Sequence, residues 1–187
     1  LRTQLQNKLI GTAVLAYILV FAVNFASFLA PQGFFDYLIP ILLAALPMAA
    51  GVRLNFSFSG RHFIAGFFVS LGILFPYALI EFYAGSTFEM PSIKLLAFQF
   101  LAVSIPEEIF FRGFLQQSFG NNYKGILITS LLFSLAHLPI FLFYNNIYAL
   151  LTFFPSIVMG LLYMKTENIM PCIMFHFLSN ILWAGFR

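Results

Sequence analysis

Long apolar runs alternate with short polar turns along the whole chain, and this alternation sets the expected architecture. Residues 9–30 are apolar and charge-free, preceded by Arg2 and Lys8, and at roughly 20 residues per crossing they predict a first membrane span. Residues 34–52 predict a second helix, kinked by Pro40 and Pro47. The segment from Arg53 to His62, with Asn55, Ser57, Ser59 and Gly60, reads as a loop, and 63–80 as a third span. Glu81 to Pro91 is the longest polar connection, lying partly along the membrane surface through Phe82, Tyr83 and Phe88. Four further spans follow at about 92–118, 125–143, 147–164 and 169–186, separated by turns at 120–124, 144–146 and 165–168. No internal repeat is visible.

Composition agrees with this pattern. Of 187 residues, 61% are hydrophobic and 8% charged, and the mean hydropathy is +0.96. A soluble domain carries about 25% charged residues. The expectation is an all-α, polytopic transmembrane bundle of about seven spans, a single membrane domain over 1–187 with no room for a soluble one. A formal charge of +3, scattered along the chain, excludes nucleic acid as a partner. The one cysteine, Cys172, excludes an intrachain disulfide. The chain opens on Leu1 rather than Met, so trimming at the N-terminus is expected.

Charge placement gives an orientation. With seven spans, one set of alternate loops carries Arg2 and Lys8, Arg53 and Arg61, Lys124, and Lys165; the other carries Lys94 and Arg187. The positive-inside rule puts the N-terminus in the cytoplasm and the C-terminus outside.

Against this apolar background, Pro106-Glu107-Glu108-Ile109-Phe110-Phe111-Arg112 places two carboxylates and a guanidinium within a span. Each such group costs roughly 2.5–3.5 kcal/mol near the bilayer centre, so three unpaired ones would cost about 7–10, comparable to the whole stability of a domain. Intramembrane ionisable residues therefore read by default as a functional site. Glu108 and Arg112 are spaced i,i+4 and can pair. Pro106 removes a backbone donor and frees a carbonyl, opening the helix just before the carboxylates. At about 1.5 Å per residue, Glu107 lies about 18 Å from Phe119, His137 about 18 Å from Gly125, and His176 and Asn180 about 12 and 18 Å from Asn168. Polar groups of three helices thus reach one level, expected slightly to the cytoplasmic side of the midplane. Of the other polar residues, Asn24 and Gln99 read as interhelical hydrogen-bonding groups, His62 as a membrane-edge residue, and Cys172 as a buried core thiol.

Glu107-Glu108-x-x-x-Arg112, Phe133-x-x-x-His137 and His176-x-x-x-Asn180, in this order on successive apolar segments, resemble the signature of the CAAX prenyl protease and bacteriocin-processing family (CPBP, or Abi, proteins) of intramembrane endopeptidases. The resemblance covers about 92–187, which would hold the catalytic core helices. It implies peptide-bond hydrolysis in or near the membrane, with Glu107 activating water, His137 helping to hold it, and His176 and Asn180 polarising the scissile carbonyl. Glu108 and Arg112 take a supporting role, Arg112 as charge partner of Glu108. The implied partners are the lipid bilayer and a membrane-associated peptide or protein, of CAAX type or a bacteriocin or signal peptide. The shortness of the chain resembles prokaryotic members, which places it in a bacterial cytoplasmic membrane with its site open towards the cytoplasmic side. Metal participation stays open at this point. His137, His176 and Glu108 are a plausible zinc set, while the absence of an H-E-x-x-H motif leans against a permanently bound ion. Two other classes compete: a non-proteolytic scaffold or immunity factor retaining the protease fold, and a proton-coupled transporter, whose usual repeat symmetry is not found.

Overall fold

The computed structural model describes residues 2–30, 33–57 and 59–187; Leu1, on which the trimming expectation bears, lies outside them. The described residues are helical throughout, apart from turns and one isolated antiparallel bridge between Phe88 and Phe186. Helix α1 is Arg2–Ser27, α2 is Phe34–Ala49 and α3 is Gly60–Tyr83. Helix α4 covers 93–119, α5 is Tyr123–Ala136, α6 is Leu138–Tyr144, a 3-10 turn follows at Ile147–Thr152, α7 is Phe153–Thr166 and α8 is Met170–Gly185.

Local chemistry sets the ends. The Ser92 hydroxyl accepts from Leu95 N–H at 3.3 Å and starts α4, while Asn122 Oδ1 accepts from Gly125 N–H at 3.1 Å and starts α5; both satisfy orphan donors of a first turn. Helix α7 stops at Glu167, which takes the left-handed conformation at φ 49°. Four stretches are long and apolar enough to cross a membrane: Gln6–Ser27, Gly60–Tyr83, Tyr123–Tyr144 and Ile147–Thr166. Helices α2 and α8 have 16 residues each, an axial length of about 24 Å against a hydrocarbon core of about 30 Å. The expected total of about seven therefore rests on α2, α4 and α8 in addition to the four long stretches.

The central element is α4. Every residue from Glu108 to Gln116 is buried, the pattern of a helix enclosed on all sides, and it touches α1, α2, α5, α7 and α8. It is not a uniform α-helix. Gln99–Ser104 and Ile109–Gln116 are π-helical, on either side of the α-helical Ile105–Glu108. Pro106 has no N–H to give to the preceding turn, and Ile105 N–H bonds Phe100 O, five residues back. The opening expected before the carboxylates takes this form; the second π stretch, after them, carries no sequence signal of its own.

Helix α1 is tied to its neighbours by side chains that donate to backbone carbonyls. Tyr17 Oη bonds Leu132 O at 2.9 Å, Asn24 Nδ2 bonds Ala136 O at 2.7 Å and Gln6 Nε2 bonds Ser118 O at 2.7 Å. The interhelical part expected of Asn24 is thus what it plays. Helices α3 and α8 approach closely at Gly66, where a Cβ would lie 2.9 Å from Pro171 Cα. Backbone cannot yield there, so Gly66→Leu is expected to destabilise by about 1–3 kcal/mol through overpacking, measured as a lower midpoint of thermal unfolding in detergent.

Candidate active site

The acidic pair points two ways. Successive residues on a helix project about 100° apart, and this rotation sends Glu108 into the core and Glu107 onto a cavity. Glu108 and Arg112 are fully buried, with Arg112 Nε donating to Glu108 Oε2 at 3.0 Å. Arg112 Nη2 donates to Ser156 Oγ of α7 at 2.9 Å, and its guanidinium lies 5.5 Å from the Phe133 ring centroid. The expected i,i+4 pairing is present. Ser156, one polar residue in an apolar span, gave no motif by which to find it.

Glu108 is also the anchor of His176. Its Oε1 accepts from His176 Nδ1 at 2.9 Å, which turns Nε2 of that ring toward Glu107 Oε2, 3.7 Å away. Glu107 Oε2 has no hydrogen-bond partner within the protein, and the side chain retains 19% of its exposure. On α5, His137 Nδ1 donates to Phe133 O at 2.8 Å, so Nε2 carries the lone pair. His137 is also where the helix breaks, at φ −91° and ψ 0°, two residues before Pro139. Phe133 fills the space among these groups, with ring centroids 4.9 Å from His137 and 5.8 Å from His176. Asn180 lies one turn beyond His176, and its Nδ2 donates to Gln99 Oε1 at 2.9 Å.

Glu107, His137, His176 and Asn180 line a single cavity of ≈ 80 Å³, completed by Val103, Phe133, Thr152, Pro155, Met159 and Ser179. About 10–15 Å³ on this measure suffices for one water, so several fit. Gln99 was legible in the sequence as an interhelical hydrogen-bonding residue but not as a neighbour of this cavity, because its partner stands 81 positions away.

Metal ligation by His137, His176 and Glu108 does not fit the arrangement. Glu108 is not on the cavity, one of its oxygens holds His176 Nδ1 and the other holds the Arg112 guanidinium, whose charge opposes a dication at that carboxylate. Among the described residues no three His, Cys, Asp or Glu side chains are grouped as ligands. Cys172 is fully buried, with its thiol on Met159 O at 3.2 Å, in keeping with the core thiol expected of it.

The lining residues differ in exposure along α7 and α8. Along α7, Thr152 and Pro155 are half-buried, whereas Ser156 and Met159, further in, are buried. Along α8, Ser179 and Asn180 are half-buried, whereas His176 and Cys172 are buried. The half-buried lining residues of these two helices thus lie toward the 3-10 turn and the C-terminus of α8. The break at His137 ends α5 at the level of the cavity, with α6 continuing beyond it.

Fold and site together define the class: an integral membrane protein, all-helical, with a carboxylate, two imidazoles and an amide gathered in a small polar cavity among its helices. The family model for type II CAAX prenyl endopeptidases, Rce1-like, matches residues 89–182, about half the chain and nearly all of the segment that builds the cavity. This chain belongs to that protease family. No curated protein and no solved structure matches it.

Proposed function

We propose that the protein is a glutamate-dependent intramembrane endopeptidase, with Glu107 as general base. The observation that carries this reading is a carboxylate oxygen without a protein partner on a cavity shared with His137, His176 and Asn180. Glu107 Oε2 takes a proton from water as the water oxygen attacks the scissile carbonyl carbon, and His137 Nε2 accepts the water's other hydrogen. The carbonyl oxygen becomes an oxyanion, met by an Asn180 amide N–H and by Nε2–H of a protonated His176. A carboxylate on the far nitrogen orients such a ring and stabilises its charge, which is the part assigned to Glu108, itself held by Arg112. Donors fixed in a dry site act strongly on developing charge. As the C–N bond breaks, the proton on Glu107 passes to the leaving amine. No step passes through a metal.

The same reading takes α2, α4 and α8 as crossing the membrane with the four longer stretches, and 92–187 as the catalytic core. The substrate is a membrane-associated peptide or small protein. The test compares peptide termini by mass spectrometry in membranes holding the wild type or Glu107→Gln at matched levels. Termini found only with the wild type support proteolysis; identical sets reject it.

Gln99 gives a finer prediction. Its Oε1 holds one Asn180 N–H and so sets which face of the amide meets the cavity. Gln99→Leu is expected to lower kcat by up to about tenfold, the worth of one hydrogen bond of 0.5–1.5 kcal/mol, with KM little changed. Gln99→Glu, which keeps an acceptor, recovers most of the loss.

A further inference from the structure

We infer that Asn24 of α1 is a positioning residue for His137: it caps a carbonyl stranded by the break after α5 and thereby holds the imidazole with its Nε2 lone pair on the cavity. Its effect on turnover rests on the proposed endopeptidase function, whereas its effect on the ring does not.

The break takes two carbonyls away from their helical donors. His137 N–H bonds Ser134 O at 3.0 Å, three residues back, rather than Phe133 O, four back. Phe133 O is met instead by His137 Nδ1 at 2.8 Å. Three residues on, Ala136 O would take its helical bond from Ile140, but Ile140 N–H goes to His137 O at 3.0 Å. Pro139, the residue before, has no N–H to offer. Asn24 Nδ2 fills that place, donating to Ala136 O at 2.7 Å. A carbonyl within the hydrocarbon has no water to pair with, so its donor must come from the protein.

The two bonds are linked through the backbone. Without its side-chain donor, Ala136 O gains most by recovering Ile140 N–H. That change extends the α-helical pattern through His137 and returns His137 N–H to Phe133 O. Nδ1 then loses its acceptor, and the ring proton is free to move to Nε2, the nitrogen whose lone pair the cavity uses. An amide on α1 thus decides a tautomer on α5.

Helix α1 is placed for this because it runs unbroken past the break. Before it, Tyr17 Oη donates to Leu132 O at 2.9 Å. After it, the Phe25 and Phe28 rings stand 5.6 and 5.4 Å from that of Phe143 on α6. The 3-10 turn adds a further tie, with Ser134 Oγ donating to Leu150 O at 2.7 Å. Of these ties, the one from Asn24 falls on the carbonyl next to His137. None of the three motifs includes a residue of α1.

Nitrogen NMR of isotopically labelled histidine, with the protein in detergent, reads which ring nitrogen carries the proton. The chain has three histidines, and the signal of His137 is the one lost in His137→Gln. The wild type is expected to show Nδ1–H and a bare Nε2. Asn24→Leu is expected to move the ring toward Nε2–H and to lower kcat about 3–10-fold with KM little changed, the worth of one hydrogen bond. Asn24→Ala stands in should the leucine variant not fold, and Asn24→Gln, which keeps an amide donor, recovers both readouts. Tyr17→Phe is the comparison for a merely structural tie, because Leu132 lies inside α5 and its carbonyl keeps a helical donor four residues on. It is expected to lower the midpoint of thermal unfolding and to leave the ring and kcat as in the wild type. A wild-type His137 with its proton on Nε2, or a ring unmoved by loss of the Asn24 amide, overturns the inference. Equal losses of kcat in Asn24→Leu and Tyr17→Phe overturn it too, as does failure of both Asn24→Leu and Asn24→Ala to fold where Tyr17→Phe folds. A ring that responds as expected, in a protein that yields no cleavage products, rejects the endopeptidase reading and leaves the positioning of His137 standing.

Discussion

Glu107→Gln is expected to fold as the wild type does and to lose cleavage by about 10²–10⁴-fold, the range that a positioned general base contributes. The substitution keeps the side chain's size and removes only the basic oxygen. Folding is spared because, among the described residues, Glu107 makes no side-chain hydrogen bond that holds the helices together; His176 Nε2 lies 3.7 Å from its Oε2. The measurement is a turnover assay on a substrate identified from the terminal peptides, alongside thermal unfolding of both proteins in the same detergent. Wild-type turnover in a well-folded Glu107→Gln protein would sink the assignment of the base. A scaffold would tolerate the same change without loss of its effect in cells.

The second large effect concerns stability. Arg112→Ala is expected to destabilise the protein by about 3–5 kcal/mol, since it strands a buried carboxylate. Glu108 has no exposed surface, and among the described residues its basic partners are Arg112 and His176. Arg112→Lys does not rescue it, because one ammonium cannot copy a planar fork that reaches Glu108 and Ser156 from different nitrogens. Replacing both partners by methionine is expected to recover much of the stability, as neither charge is then left unpaired. Cleavage remains lost in the double variant, because His176 Nδ1 has no acceptor. Thermal unfolding of the two single variants and the double variant forms the cycle that measures this coupling.

These two carboxylates show how far a sequence reaches. Adjacent in the chain, they project about 100° apart and reach the same His176 ring, one fixing the architecture and the other facing the cavity. Their spacing to Arg112 made the ion pair legible, because i,i+4 neighbours meet on any helix whatever surrounds it. The three motifs were legible as a set for a similar reason: each is local, and their order on successive apolar runs is a property of the chain. Length, hydropathy and charge likewise determined an integral membrane protein built of helices, since a helix satisfies its own backbone groups within lipid and apolar runs of about 20 residues match a helix rather than a barrel strand.

Other features depended on how the helices were rotated and shifted against one another. Gln99 reached Asn180, and Ser156 reached Arg112, across 81 and 44 positions of sequence. The π-helical turns changed the faces that α4 presents, by an amount the presence of Pro106 alone did not fix. The break at His137 ends α5 beside the cavity, and buried hydrogen bonds fasten α4 to α7. Hydrophobic periodicity records how a residue stands on its own helix. A cavity is lined by side chains of several helices meeting at one level, and only the tertiary structure brings those together.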